Sequence, residues 1–156
     1  MNIAAIVDSL GPSQLSFYLI KEFNKLIKDV NFSPVCYYNN ISTPMLNPFF
    51  GCMNISSFSS FSGIAVATTI ELANMLLVTN NSADKYFYVW DLEWIRRPLD
   101  FDDASQIMAN DKLNLVARSE DHASLIENYC NRPVSGIMDN WKIDDLLNII
   151  STESAT

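Results

Sequence analysis

The sequence predicts one three-layer α/β domain built on a parallel sheet of about six strands. Three observations carry that expectation. Short apolar runs alternate along the chain with segments of helical period, the pattern of successive β-α-β units. The first run, residues 2–8 ("NIAAIVD"), is apolar up to its terminal acid, the form of a strand buried on both faces. Apolar residues make up 49% of the 156 and charged residues 18%, enough for a single core and no case for disorder.

Each element can be justified in order. After the first strand, "SLGPSQ" punctuates the chain, and Ser13 is placed to cap the next helix. In that helix Leu15, Leu19, Phe23, Leu26 and Ile27 recur at helical spacing, while Lys21, Lys25 and Lys28 form a solvated face. Residues 33–38 ("SPVCYY") read as a second strand, with Pro34 only at its start. Residues 39–62 ("NNISTPMLNPFFGCMNISSFSSFS") lack a clear period and hold two prolines and four phenylalanines. They read as a long loop with at most a turn of helix, either a lid or a plain surface excursion, its phenylalanines used for packing.

Residues 63–68 ("GIAVAT") are a third strand, and "TIELANMLLVT" is a helix with Leu72, Met75 and Leu76 on one side. "KYFYVWDLEW" begins as a fourth strand, and "DFDDASQIMAN" is a short helix opened by acids. "LNLVARS" is a fifth strand, "EDHASLIENYC" a helix, "PVSGIMD" a sixth strand and "KIDDLLNII" the last helix. The domain is expected to span 1–150, with 151–156 as a tail. Six strands in β-α-β alternation favour a Rossmann-like, doubly wound order with right-handed crossovers over a flavodoxin-like one.

Charge and cysteine usage narrow the partners. The net charge is -8 and no basic stripe is visible, which argues against nucleic acid and against an anionic membrane surface. No apolar run reaches spanning length without polar interruption, and the N-terminal run is too short for a signal peptide. Cys36, Cys52 and Cys130 are far apart in sequence, odd in number and without metal spacing, as expected of reduced thiols in a cytoplasm-like compartment. The sequons at Asn40, Asn54 and Asn80 therefore carry little weight.

In a parallel sheet the carboxyl ends of all strands gather on one edge, where open sheets bind ligands. The candidates there are Asp8, Ser9 and Gly11 after the first strand and Thr68 and Thr69 after the third. Asp91, Glu93, Trp94, Arg96 and Arg97 follow the fourth strand, Arg118, Ser119, Glu120 and His122 the fifth, and Asp139, Asn140 and Trp141 the sixth. A dinucleotide site is not expected: "DSLGPSQ" has one glycine where that fold needs G-x-G-x-x-G, and no P-loop is present. His122, the single histidine, is a candidate general base or a solvent-facing residue of a helix's first turn. Ser119 and Ser124 lack the G-x-S-x-G elbow of a triad. Asp91 and Glu93 are either a carboxylate pair flanking a sugar or a strand end turned to water. Asp102–Asp103 and Asp144–Asp145 fit helix starts, where negative charge favours the dipole.

The order of elements resembles the N-terminal domain of GT-B glycosyltransferases, especially the retaining family that includes many sugar-nucleotide-dependent enzymes. "LVARSEDHASLIENY" matches a fifth strand that ends in a serine-acid pair opening a helix, here Ser119 and Glu120. "SGIMDNWKIDDLL" matches the family's Asn-Gly-Val-Asp turn with Asn140 and Asp144, Trp141 standing where the family has glycine. "IVDSLGPSQLSFYLIKEFNKL" is similar to the opening strand, corner and helix, with Gly11-Pro12-Ser13 in place of paired glycines.

The resemblance implies an acceptor-type half-domain with no cofactor or metal of its own. Its ligand would be a sugar or nucleotide-sugar. Sugar transfer would require a donor-domain protein or a homodimer, because the donor domain and its paired glutamates lie beyond the matched region. The alternative is a non-catalytic binding or assembly module using the same edge. In either case Asp8, Gly11, Asp91, Glu93, Ser119, Glu120 and Asn140 are expected to line one continuous depression, partly roofed by residues 39–62. An aromatic such as Trp94 or Trp141 would supply its apolar face.

Overall fold

The computed structural model describes residues 1–96 and 101–153. Among the described residues there are seven strands: β1 (Asn2–Ser9), β2 (Ser33–Asn40), β3 (Gly51–Asn54), β4 (Gly63–Ala67), β5 (Ala83–Tyr88), β6 (Asn114–Ala117) and β7 (Gly136–Ile137). They form one sheet in the order β3-β2-β1-β4-β5-β6-β7, and every neighbouring pair is parallel. The helices are α1 (Gln14–Leu26), α2 (Ile70–Val78), α3 (Glu93–Arg96), α4 (Phe101–Met108), α5 (Glu120–Cys130) and α6 (Ile143–Glu153). Helices α1 and α6 cover one face, and α2 to α5 cover the other, giving the expected three layers and doubly wound order.

The alternation of β1 explains why it lies inside the sheet. Ile3, Ala5 and Val7 join the core beneath α1, with Leu19, Ile20 and Phe23, while Ala4 and Ile6 join the opposite core, with Phe58, Leu72 and Phe87. All five β1 residues are fully or almost fully buried, so each face contributes apolar burial, roughly 1.5–3 kcal/mol for each large side chain. The helices begin where their caps allow. Ser13 accepts from the Ser16 N–H, Thr69 from Leu72 and Ser119 from His122, each satisfying a donor that has no partner inside its helix. At the start of β4, Gly63 has φ 130, and a Cβ there would stand 2.5 Å from the Asn2 carbonyl oxygen. Glycine is required by both conformation and space.

Two expectations are corrected. The segment 39–62 is not a structureless loop, since it holds β3 and a 3₁₀ turn, Ile55–Ser60. β3 gave no period because its residues are exposed or half-buried; it is held instead by pairing with β2, from Val35 opposite Gly51 to Tyr38 opposite Asn54. Phe50, Phe58 and Phe61 are buried, as packing required. Second, the tail does not begin at residue 151. Helix α6 continues to Glu153, whose carboxylate accepts from the Tyr86 hydroxyl. Residues 154–156, the predicted helix start at Asp100 and the candidate Arg97 lie outside the described residues. Cys36 and Cys52, far apart in sequence, are register partners on β2 and β3, and all three cysteines are free thiols.

From β3 the chain returns past β2 and β1 to form β4 on the far side of β1. The connections thus leave β1 and β4 in opposite directions, and a crevice opens at their carboxyl ends.

Candidate functional site

A cavity of about 500 Å³ occupies this crevice, on the face that carries α2 and α4. Asp8 at the end of β1 and Asn39 at the end of β2 form one wall. Residues 69–72 at the start of α2, Glu93 and Trp94 of α3, and Asp103, Ala104 and Ile107 of α4 complete the described lining. The described lining therefore offers four carboxylates (Asp8, Glu71, Glu93, Asp103), one amide and the apolar surface of Trp94, Leu72 and Ile107. Among the described residues the lining holds no Lys, Arg or His.

The local hydrogen bonds say what this cavity can accept. An N-terminal turn such as that of α2 commonly binds phosphate through free backbone N–H groups. Here Glu93 Oε1 accepts from the Ile70 N–H at 3.0 Å and Thr69 Oγ1 from the Leu72 N–H at 3.2 Å. Protein oxygens have taken the places an anion would fill. Asp8 Oδ1 accepts from the Asn40 amide at 2.9 Å and from the Asn39 amide at 3.3 Å, which turns the carboxylate toward the ends of β1 and β2. Trp94 is 5% exposed and stacks on Tyr129 with ring centroids 4.3 Å apart, so it supplies a fixed apolar wall and little free face.

Of the candidate residues, the structure brings Asp8, Thr69, Glu93 and Trp94 together in this cavity. Gly11, Asp91, Ser119, Glu120, His122 and Asn140 are not among its described lining. Gly11 is buried against Ser42, where a Cβ would stand 3.0 Å from the serine side chain. Residues 40–48 do not roof the cavity: Ile41, Ser42, Pro44 and Pro48 fold over Leu10 and Tyr38 around a separate, mostly apolar hollow of about 190 Å³. Ser119 caps α5, and Glu120 is exposed in its first turn.

Asp91 and His122 belong to a second group at the ends of β5 and β6. The Asp91 carboxylate is 3.3 Å from the Arg96 guanidinium. Arg118 lies over the Trp90 ring, 3.8 Å from its centre, and donates to the Trp90 carbonyl. His122 is half-buried rather than solvent-facing, and its Nδ1 accepts from the Arg118 N–H at 3.4 Å. Burial, reinforced by the Arg118 charge and opposed by Asp91, holds its pKa below the usual histidine value.

The expectation that Trp141 offers an aromatic face is overturned. Its side chain is fully buried between Phe23 and Tyr88, and its indole nitrogen has no hydrogen-bond partner. Yet its backbone has φ 61, after Asn140 with φ 46. Trp141 thus takes a conformation that favours glycine. The buried Tyr88 hydroxyl donates to the Met138 carbonyl beside this turn, and its pKa is pushed up to about 12 by burial.

The cavity residues that sequence reasoning passed over are Asn39, Ile70, Glu71, Leu72, Asp103, Ala104 and Ile107. Asp103 was assigned to the dipole of α4, and no sequence signal distinguishes that role from a place in a cavity wall. Among the described residues, no group of three His, Cys, Asp or Glu could hold a metal ion, and no helix is long and apolar enough to cross a membrane. The fold and cavity define an open α/β domain with a ligand-sized crevice at its topological switch point. No family model matches the chain, and neither a curated protein nor a solved structure does so.

Proposed function

We propose that this domain binds a hydroxyl-rich acceptor, neutral or cationic, and serves as the acceptor half of a GT-B-like sugar transfer completed by a donor-binding partner. The observation that carries this reading is the acidic, phosphate-excluding character of the crevice. Four carboxylates and an amide surround about 500 Å³ beside the wall of Trp94, and the first turn of α2 is already capped by Glu93 and Thr69. Carboxylates and amides suit the hydroxyls of a sugar, and an apolar wall suits the ring face. They disfavour a nucleotide diphosphate, whose charges would meet like charges. The donor would therefore be held elsewhere.

The left-handed backbone at Trp141 adds weight to the resemblance in the last third of the chain. Transfer needs donor and acceptor held together, so the chain alone is expected to show no turnover. Backbone-amide shifts tested with glucose, glucosamine and a uridine-diphosphate sugar check the reading. Shifts at residues 69–72 and 93–94 with the first two, and none there with the nucleotide, are expected. Nucleotide binding in the crevice, or turnover of the nucleotide-sugar by pure monomer, overturns it.

A further inference from the structure

The end of the sheet away from this crevice is a four-residue edge strand with no charged side chain to protect it. β3 pairs with β2 on its inner side, and among the described residues no backbone hydrogen bond is made to its outer side. Sheet edges are normally blunted by charge, proline or a bulge, because unpaired N–H and C=O groups recruit other strands. β3 reads Gly-Cys-Met-Asn and carries none of these. Around it Ile41 is 87% exposed, Met45 61%, Phe49 73% and Met53 41%. The surrounding chain is also uncharged: residues 30–70 include no Asp, Glu, Lys, Arg or His, in a protein of net charge -8. Helix α1 meets this arc through another neutral side chain, Asn24, which donates to the Asn47 carbonyl and accepts from the Phe49 N–H.

Charge identifies the occupant. A charged partner would bury its ions against an arc that has no counterion to offer, at a cost in desolvation. Elsewhere on the molecule two acidic copies repel, but across this arc they meet neutral surface on both sides. A second copy also brings an equally unpaired strand, so antiparallel pairing of the two edges about a twofold axis satisfies both. We infer that the β3 edge is a homodimer interface, in which β3 strands of two copies pair and Phe49 and Met53 pack across the twofold. The crevice takes no part in it, so this inference stands apart from the ligand reading.

Sedimentation equilibrium of the full chain tests it. A dimer at micromolar concentration, strengthened by salt that screens the acidic surfaces, is the expected result. Met53→Lys and, separately, Phe49→Asp should weaken dimerisation by about a hundredfold or more through like-charge juxtaposition, with unchanged circular dichroism. Amides of residues 51–54 should gain exchange protection as protein concentration rises. A wild-type chain that stays monomeric at 100-fold higher concentration, or a dimer indifferent to both substitutions, overturns the inference.

Discussion

The Glu93 carboxylate accepts a hydrogen bond from the Ile70 backbone N–H at 3.0 Å, so a residue of α3 caps the first turn of α2 from 23 positions away. The bond fixes one wall of the crevice against another. It also places a negative charge at the positive end of the helix, which is favourable for the dipole. Glu93→Ala should therefore lower stability by about 1 kcal/mol, the usual size of a lost cap, and Glu93→Gln, which keeps an acceptor oxygen, by less. Urea unfolding at neutral pH measures both. Equal losses for Ala and Gln would mean that the negative charge at the helix end, not the acceptor oxygen or packing, is what Glu93 supplies.

How much of this was legible depended on whether a residue's role was local. The apolar run of β1 announced its buried position because both of its faces were apolar, and Ser13 stood where a helix cap belongs, whereas Thr69 and Ser119, read as strand-end candidates, also serve as caps. β3 was not legible, since an exposed four-residue edge strand has neither period nor bulk and owes its form to β2. The crevice was half legible. Strand ends pointed to Asp8 and Glu93, but the choice among strand-end acids depends on where α4 lies, and Asp103 enters only through that packing. Trp141 misled because a tryptophan after a strand reads as a surface platform, whereas a left-handed turn carries this one inward.

Trp141 sets two effects against each other. Its positive φ costs on the order of 1–3 kcal/mol for a non-glycine residue. Its buried ring, packed edge-on to Phe23 and Tyr88, is worth about 3–5 kcal/mol on truncation. Burial wins, so Trp141→Gly should destabilise the fold despite relieving the backbone. Trp141→Phe keeps an aromatic ring and removes an unpartnered indole N–H, and its loss should be less than half that of glycine. Chemical denaturation ranks the two; a glycine variant as stable as wild type would show that strain dominates.

The three thiols differ in access. Cys36 and Cys130 are buried, Cys52 is partly exposed, and burial pushes all three pKa values up. Thiolate is the reactive form, so alkylation of the native protein near pH 8 should be slow everywhere, with Cys52 modified first. Cys36 and Cys130 should react only as the chain opens. Peptide mass mapping over time gives the order, and early modification of Cys36 would contradict its burial in the core between β2 and α1.

The final prediction concerns pH. Burial and the neighbouring Arg118 charge lower the His122 pKa, and Asp91 opposes them. As pH falls below the usual value of 6.5, the unfolded chain takes up a proton before the folded one does. The contribution of neutral His122 is therefore fully present above that value and is lost progressively as pH falls toward and through the lowered folded value. Part of the stability lost between pH 7.5 and 5 should thus disappear in His122→Gln, whose profile should be flatter than wild type. Asp91→Asn removes the charge that favours the protonated ring and should make the acid-side loss steeper. Urea midpoints across that range test both variants together. A His122→Gln profile parallel to wild type would assign the acid sensitivity to the carboxylates instead.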